Sequence, residues 1–130
     1  KVSVAETCPL LLGGKSVIEN VAAFATDMSK IEKILIDLEM DPHMVVWGDD
    51  DDARVSLSAG QMSRLSLARA MCQEPRWLLL DETAGTLCHN MAGKVAVVVR
   101  NFCRDEHIAC VWATHRPEVV DASDFKYEIR

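Results

Sequence analysis

Long hydrophobic runs are missing from this 130-residue chain; the longest, Ile108–Ala113, has six residues. A membrane-spanning helix needs about 20 apolar residues, so no direct membrane span is expected. No Cys-x-x-Cys pair occurs either: Cys8, Cys72, Cys88, Cys103 and Cys110 are odd in number and scattered. That pattern argues against a disulfide scaffold and against a zinc site. It favours reduced thiols in an intracellular reducing compartment, several of them acting as small core fillers. Cations are in deficit, with 14 Lys and Arg against 20 Asp and Glu, a net charge of −6 with neutral His. A chain of that sign opposes clamping of nucleic-acid phosphates, and no nucleic-acid partner is expected. Nucleotide binding stays open, because it needs only a few local backbone amides. There is no internal repeat, low-complexity linker or basic, Ser-rich targeting segment. The first residue is Lys1 rather than Met, which reads as a processed chain or one piece of something longer.

What is present is ordinary globular composition, 49% apolar and 26% charged, enough for one domain with a real core. Val2–Gly14 reads as an edge strand or loop, closed by Gly13-Gly14. Ser16 can cap a short helix through Val17–Ala25, and Asp27 or Ser29 a second near Met28–Met40. In the second, Met28, Ile31, Leu35 and Leu38 form one apolar stripe, stopped by Asp41-Pro42. Asp49–Asp52 follows Gly48 and reads as a solvated turn rather than a cation site. From Gln61 to about Gln73 the pattern is helical, with Leu65, Ala68 and Cys72 inward and Arg64 and Arg69 outward. Trp77–Leu80 is a short apolar strand, a helix follows from about Asn90 to Cys103, and Ile108–Ala113 is a second apolar strand. Pro117 starts one helical turn, and Asp124–Ile129 reads as a last strand. Apolar strands separated by a helix predict parallel neighbours in an α/β layer, with Asp81 and His115 at one edge.

Ligands of open α/β sheets bind at the carboxyl ends of the strands. Here the first strand delivers Asp81 and Glu82, and the second delivers Thr114 and His115. An apolar strand ending in Asp-Glu suits a Mg²⁺ ligand, Asp81, followed by a water-polarising carboxylate, Glu82, near a phosphate; His115 would contact the terminal phosphate. Each residue also has a plainer reading. Asp-Glu after a strand is often a turn and helix cap, and a single His there is often structural.

The combination is more specific. Leu57-Ser58-Ala59-Gly60-Gln61 resembles LSGGQ, the signature loop of ATP-binding cassette (ABC) nucleotide-binding domains. Gln61–Ala70, QMSRLSLARA, resembles the helix after it. RWLLLDE at 76–82 resembles a Walker B strand, and Ala113-Thr114-His115-Arg116-Pro117 the switch-histidine loop. Leu57 to Asp81 is 24 positions and Asp81 to His115 is 34, in the family's order and spacing. Upstream, Pro9–Val21 is similar to the segment after the Q-loop of exporter-type cassettes, although no glutamine stands near Glu6 or Thr7. The resemblance implies a partial P-loop NTPase-like α/β fold with parallel core strands and a helical subdomain. Residues 1–16 would be a remnant of the Q-loop region, 17–75 a helical subdomain with the signature, and 76–130 the Walker B to C-terminal part of the core.

It further implies ATP and Mg²⁺ as cofactors, conditional on the missing P-loop half. Asp81 would hold the metal, Glu82 and His115 would be catalytic, and Ser58, Ala59, Gly60 and Gln61 would face nucleotide bound by a second cassette. Implied partners are that cassette or the missing N-terminal half, and a transmembrane domain or larger assembly met by residues 17–56. The implied location is the cytoplasmic face of a membrane or an organelle matrix. The sequence departs from the family at Thr83, where a proline stands after Asp-Glu, and at Cys88, where the D-loop has aspartate.

Pro9–Ser16 imitates G-x-x-x-x-G-K-S with Pro for the first Gly. Pro9 stiffens the loop and Leu10–Leu12 fill the cradle that glycines leave open, so a working P-loop is not expected at Lys15-Ser16. Three functions follow: a transport ATPase part whose P-loop is supplied elsewhere, a catalytically inactive remnant used as a structural subunit, or a regulatory module lending its signature loop to a partner's ATP.

Overall fold

The computed structural model describes residues 1–7, 9–46 and 57–129. Within them the chain runs β1 (Val2–Val4), α1 (Val17–Ala22), α2 (Met28–Asp37), α3 (Ala59–Cys72), β2 (Trp77–Asp81), α4 (His89–Asp105), β3 (Ala109–Ala113) and α5 (Pro117–Ala122). The acidic run Asp49–Asp52 lies outside the described residues.

The strands form one parallel sheet in the order β1-β2-β3. Residue Leu78 pairs with Ser3 on one side and Cys110 on the other, and Asp81 pairs with Ala113. The expected parallel pairing of the two apolar strands is therefore present, and of Val2–Gly14, read as an edge strand or loop, Val2–Val4 forms an edge strand. This is an α/β layer of the partial P-loop NTPase-like kind.

Strand side chains alternate between faces, and the two faces differ sharply here. Ser3, Leu78 and Leu80 are buried, with Cys110 and Trp112 half-buried beside them against the helical layer. Val2, Val4, Trp77, Leu79 and Val111 occupy the opposite face, and all are exposed. A parallel sheet is normally covered on both faces; this one presents a bare apolar face built from all three strands.

The helices start where cap chemistry places them. Ser16 and Ser58 each close a capping box, with Glu19 and Gln61 respectively, and Asp27 accepts from the Lys30 amide at 3.2 Å. Glu39, Glu74 and His107, just beyond α2, α3 and α4, take left-handed backbone with φ of 56°, 54° and 55°, the usual conformation one residue past a helix end.

Four sequence expectations need correction. Arg69 does not reach outward: it is 5% exposed, on the packed side of α3. In α2, Met28 is exposed and Ile34 joins Ile31 and Leu35 inside, because the buried stripe is two residues wide per turn. Helix α1 stops at Ala22, before the exposed Phe24. Asp124–Ile129 forms no strand and pairs with none among the described residues, leaving Phe125, Tyr127 and Ile129 almost fully exposed. Its alternation suits a strand, but alternation alone supplies no edge to pair with.

Candidate functional site

Parallel register brings three chemistry-bearing residues to one end of the sheet. Asp81 ends β2 and Glu82 follows it, its amide donating to the Ala113 carbonyl of β3 at 2.8 Å. His115 stands two residues beyond β3, and its Nε2 lies 3.3 Å from Glu82 Oε1. Glu82 adopts a left-handed φ of 50°, a conformation non-glycine residues hold only when the surroundings impose it. Those surroundings are its own two backbone bonds: its amide to Ala113, and its carbonyl accepting from Gly85 at 2.9 Å. A Cβ at Gly85 would sit 3.1 Å from that carbonyl oxygen, so the tight turn favours glycine. The Glu82 side chain is 44% exposed and His115 94%. Among the described residues, the pair stands open to solvent.

Ser58, Ala59, Gly60 and Gln61 form the N-terminus of α3. Gln61 N donates to Ser58 Oγ at 3.2 Å and Ser58 N to Gln61 Oε1 at 2.8 Å. Gly60 lies against Thr86 and Leu87, where an added Cβ would come within 3.4 Å of the Leu87 side chain. No hydrogen bond among the described residues joins Ser58–Gln61 directly to Asp81, Glu82 or His115. The two groups are linked instead through residues that sequence reasoning missed. Thr86 Oγ1 lies 2.7 Å from Ser63 Oγ and donates to Ala59 O at 3.4 Å. Arg116, next to His115, donates from Nη1 to Leu87 O at 3.0 Å, and its amide donates to Thr114 Oγ1 at 2.9 Å. Thus 86–87 bridges the α3 start to the histidine loop. Only the polarity of Thr86 and Arg116 hinted at this.

The Lys15-Ser16 segment is already engaged. Gly14 N donates to Val46 O, Lys15 N to Leu12 O and Val17 N to Met44 O, at 3.2, 3.3 and 2.8 Å. The Ser16 hydroxyl lies 3.0 Å from Glu19 Oε2. A phosphate cradle needs amides free to face the anion, and these are committed to protein carbonyls.

A second polar cluster fixes α3 to α1. Arg69 donates from Nε to Asn20 O at 3.1 Å and from Nη2 to Asn20 Oδ1 at 3.3 Å, with its guanidinium 4.7 Å from the Phe24 ring. Asn20, fully buried, accepts from Leu12 N at 2.7 Å and donates to Leu12 O at 3.2 Å. Ser66 Oγ donates to Glu6 O at 2.6 Å. Burial holds the Arg69 pKa below its ordinary value, with Glu6 opposing.

A parallel α/β sheet with carboxylates and a histidine at its carboxyl edge, joined to a capped signature-like helix, defines a partial nucleotide-binding domain of the P-loop NTPase class. The ABC transporter family model matches residues 1–85. A methionine import ATP-binding protein of Helicobacter hepaticus is 32% identical over 113 residues, 85% of this chain and 32% of the relative. A lipoprotein-releasing system ATP-binding protein of Protochlamydia amoebophila is 34% identical over 73 residues, 56% of this chain and 32% of the relative. A sulfate/thiosulfate import ATP-binding protein of Thermosynechococcus vestitus is 31% identical over 113 residues, 84% of this chain and 33% of the relative. This chain belongs to the ABC transporter family, and it spans about a third of the length of these relatives.

Proposed function

We propose that this chain is the signature, Walker B and switch-histidine part of an ABC-type cassette that couples ATP binding and hydrolysis to transport, with the P-loop supplied elsewhere. The observation that carries the reading is the juxtaposition of Glu82 and His115 at 3.3 Å on the carboxyl edge of the sheet. Glu82 Oε1 would orient the attacking water and accept its proton, and His115 Nε2 would hold Glu82 and reach the terminal phosphate. Asp81 is exposed at the same edge and fits as one oxygen ligand of Mg²⁺, which would neutralise phosphate charge when bound. One carboxylate does not make a metal site, and no group of three or more metal-ligating side chains occurs among the described residues; the nucleotide phosphates supply the remaining ligands in this reading.

Ser58, Ala59, Gly60 and Gln61 would present the α3 N-terminus to nucleotide held by a second cassette, where helix amides and dipole favour an anion. Residues 1–16 would be the Q-loop remnant, 17–75 the helical subdomain and 76–130 the core part. The bare face of Val2, Val4, Trp77, Leu79 and Val111 would be covered by the P-loop half, which would also exclude water from Glu82. The relatives are named as ATP-binding proteins of import and lipoprotein-releasing systems. That likeness supports a reading in which this chain works with a transmembrane partner, at the cytoplasmic face of a membrane or in an organelle matrix. No helix among the described residues is long and apolar enough to cross a membrane itself.

One observation favours a second reading, a catalytically inactive structural subunit. Cys88 occupies the N-cap of α4 without a side-chain cap bond, where the family's D-loop carries aspartate. A fusion placing the P-loop half of the Helicobacter hepaticus relative before residue 1 tests both. The first reading expects Mg-ATP turnover that Glu82→Gln and His115→Ala abolish while binding persists. The isolated 130-residue chain should give no heat of Mg-ATP binding in calorimetry. Turnover unchanged by Glu82→Gln would refute the assignment of the base; a folded fusion that binds Mg-ATP but never hydrolyses it would favour the structural subunit. Micromolar binding by the isolated chain, lost on Lys15→Ala, would revive the Pro9–Ser16 loop as a phosphate site.

A further inference from the structure

Burial alternates past the end of β3: Thr114 and Arg116 are half-buried, and His115 stands exposed between them. The His115 ring is in contact with Glu82 Oε1 but is otherwise open to solvent. A side chain without packing keeps its direction only through its backbone. On one side that backbone is fixed by β3, where the Ala113 carbonyl accepts from Glu82 N. On the other side it is fixed by Arg116. The Arg116 guanidinium reaches in two directions: Nη1 donates to the Leu87 carbonyl at 3.0 Å, and Nε and Nη2 donate to Glu118 Oε2 and Oε1 at 3.4 and 3.5 Å. Both anchors are firm. Leu87 is buried in the core, and Glu118 stands on α5 beside the buried Val119, with His89 of α4 against its carboxylate. The Arg116 amide also donates to Thr114 Oγ1 at 2.9 Å, closing the loop across His115.

We propose that Arg116 is a positioning residue for His115: its forked guanidinium pins the loop to the Leu87 carbonyl and to Glu118, and so keeps His115 Nε2 opposite Glu82. The role rests on the reading of Glu82 and His115 as the pair that acts on water and phosphate. Only a fork meets both anchors. A guanidinium presents its donors in a rigid plane, whereas an ammonium is a point charge on a flexible stem. In the proposed reaction, a drift of about 1 Å at His115 would cost on the order of 100-fold in rate.

The test reads His115 in the full chain without nucleotide, by nuclear magnetic resonance on isotope-labelled protein. The unaltered chain should show cross-relaxation between the His115 ring and the Glu82 side chain, and a His115 amide order parameter near the rigid value of about 0.85. Arg116→Gln should abolish that cross-relaxation and drop the order parameter below about 0.6, the flexible range, while the amides of β3 stay unchanged. Arg116→Lys should fail in the same way. Arg104→Gln, which removes an equal charge from the exposed pair with Asp124, should leave both readouts intact. Glu118→Gln keeps the Leu87 bond and should loosen His115 measurably but less; it decides the matter if the arginine variants do not fold. An unmoved His115 in Arg116→Gln or in Glu118→Gln overturns the proposal, as does full retention in Arg116→Lys or a missing His115–Glu82 contact in the unaltered chain. Loss that spreads through β3 also overturns it, because Arg116 would then hold the sheet rather than the loop. No P-loop or nucleotide enters this experiment, so loss of the clamp leaves Glu82 to be judged by the turnover of the fusion, and a failure there leaves the clamp standing.

Discussion

Replacing Asn20 with alanine should destabilise the chain by about 3–5 kcal/mol, far more than the loss of a small polar side chain suggests. Asn20 is fully buried. Its Oδ1 accepts from Leu12 N at 2.7 Å and from Arg69 Nη2 at 3.3 Å, and its Nδ2 donates to Leu12 O at 3.2 Å. Alanine orphans the Leu12 amide, leaves the Leu12 carbonyl only its bond from Lys15 N, and strips an acceptor from a buried guanidinium whose Nη1 already has no hydrogen-bond partner among the described residues. An orphaned buried group costs about 1–3 kcal/mol, and more when charged; partial rehydration of the Leu12 loop keeps the sum in the range given. A domain's whole stability is about 5–15 kcal/mol. Arg69→Met removes the guanidinium itself, so the double variant should lose less than the two singles added, with a coupling of about 1–2 kcal/mol. Urea unfolding at low protein concentration, followed by tryptophan fluorescence, measures all three. A loss under about 1 kcal/mol for Asn20→Ala, or single-variant losses that add within about 0.3 kcal/mol, would refute the claim that this node locks α1 to α3.

Cys88→Asp should stabilise the chain by about 1 kcal/mol, because Cys88 already has N-cap backbone geometry, φ −66° and ψ 163°, but makes no side-chain cap bond; an unchanged thermal midpoint would show that the α4 start cannot use a cap. Glu118 has its carboxyl held below the ordinary value first by its own backbone amide and then by Arg116 and His89, against burial. The stability it contributes is present above its unfolded pKa and is lost as pH falls through the lower folded value. Glu118→Gln should therefore lower the thermal midpoint at neutral pH, and the gap should close below the usual carboxylate range; a gap independent of pH would exclude the charge as its source. Leu79→Thr with Val111→Thr should reduce self-association of the isolated chain in sedimentation velocity while leaving its circular dichroism intact, and unchanged association would mean the bare sheet face is not what drives it.

Strand and helix placement was legible wherever a short-range rule sufficed. Trp77–Leu80 and Ile108–Ala113 are apolar runs bounded by polar residues, and their parallel pairing follows from the helix between them. Ser16 and Asp27 announce helix starts because a cap acts over three residues. The order Asp81-Glu82, then Thr114-His115, placed the candidate site at one sheet edge, because in a parallel sheet every strand ends on the same side. What escaped the sequence depends on partners distant along the chain. Arg69 looks solvent-facing as a charged residue in a helix. It is buried because Asn20 and Phe24, 49 and 45 positions away, accept its charge. The Thr86–Ser63 and Arg116–Leu87 contacts span 23 and 29 positions and leave no periodic trace.

Asp124–Ile129 shows the converse. Phe125, Tyr127 and Ile129 alternate as a strand should, and a strand was expected, but hydrogen-bonded pairing is a property of two segments, not one. The same rule explains Val2, Val4, Trp77, Leu79 and Val111. Their β-branched and aromatic character suits a buried parallel sheet, yet they stand exposed because burial requires a second layer that no residue pattern within a strand can supply. A sequence thus specifies which face of a sheet is prepared for cover. Whether that face is covered is decided by chain that packs from elsewhere; in the function proposed above, the same cover would exclude water from Glu82 and His115.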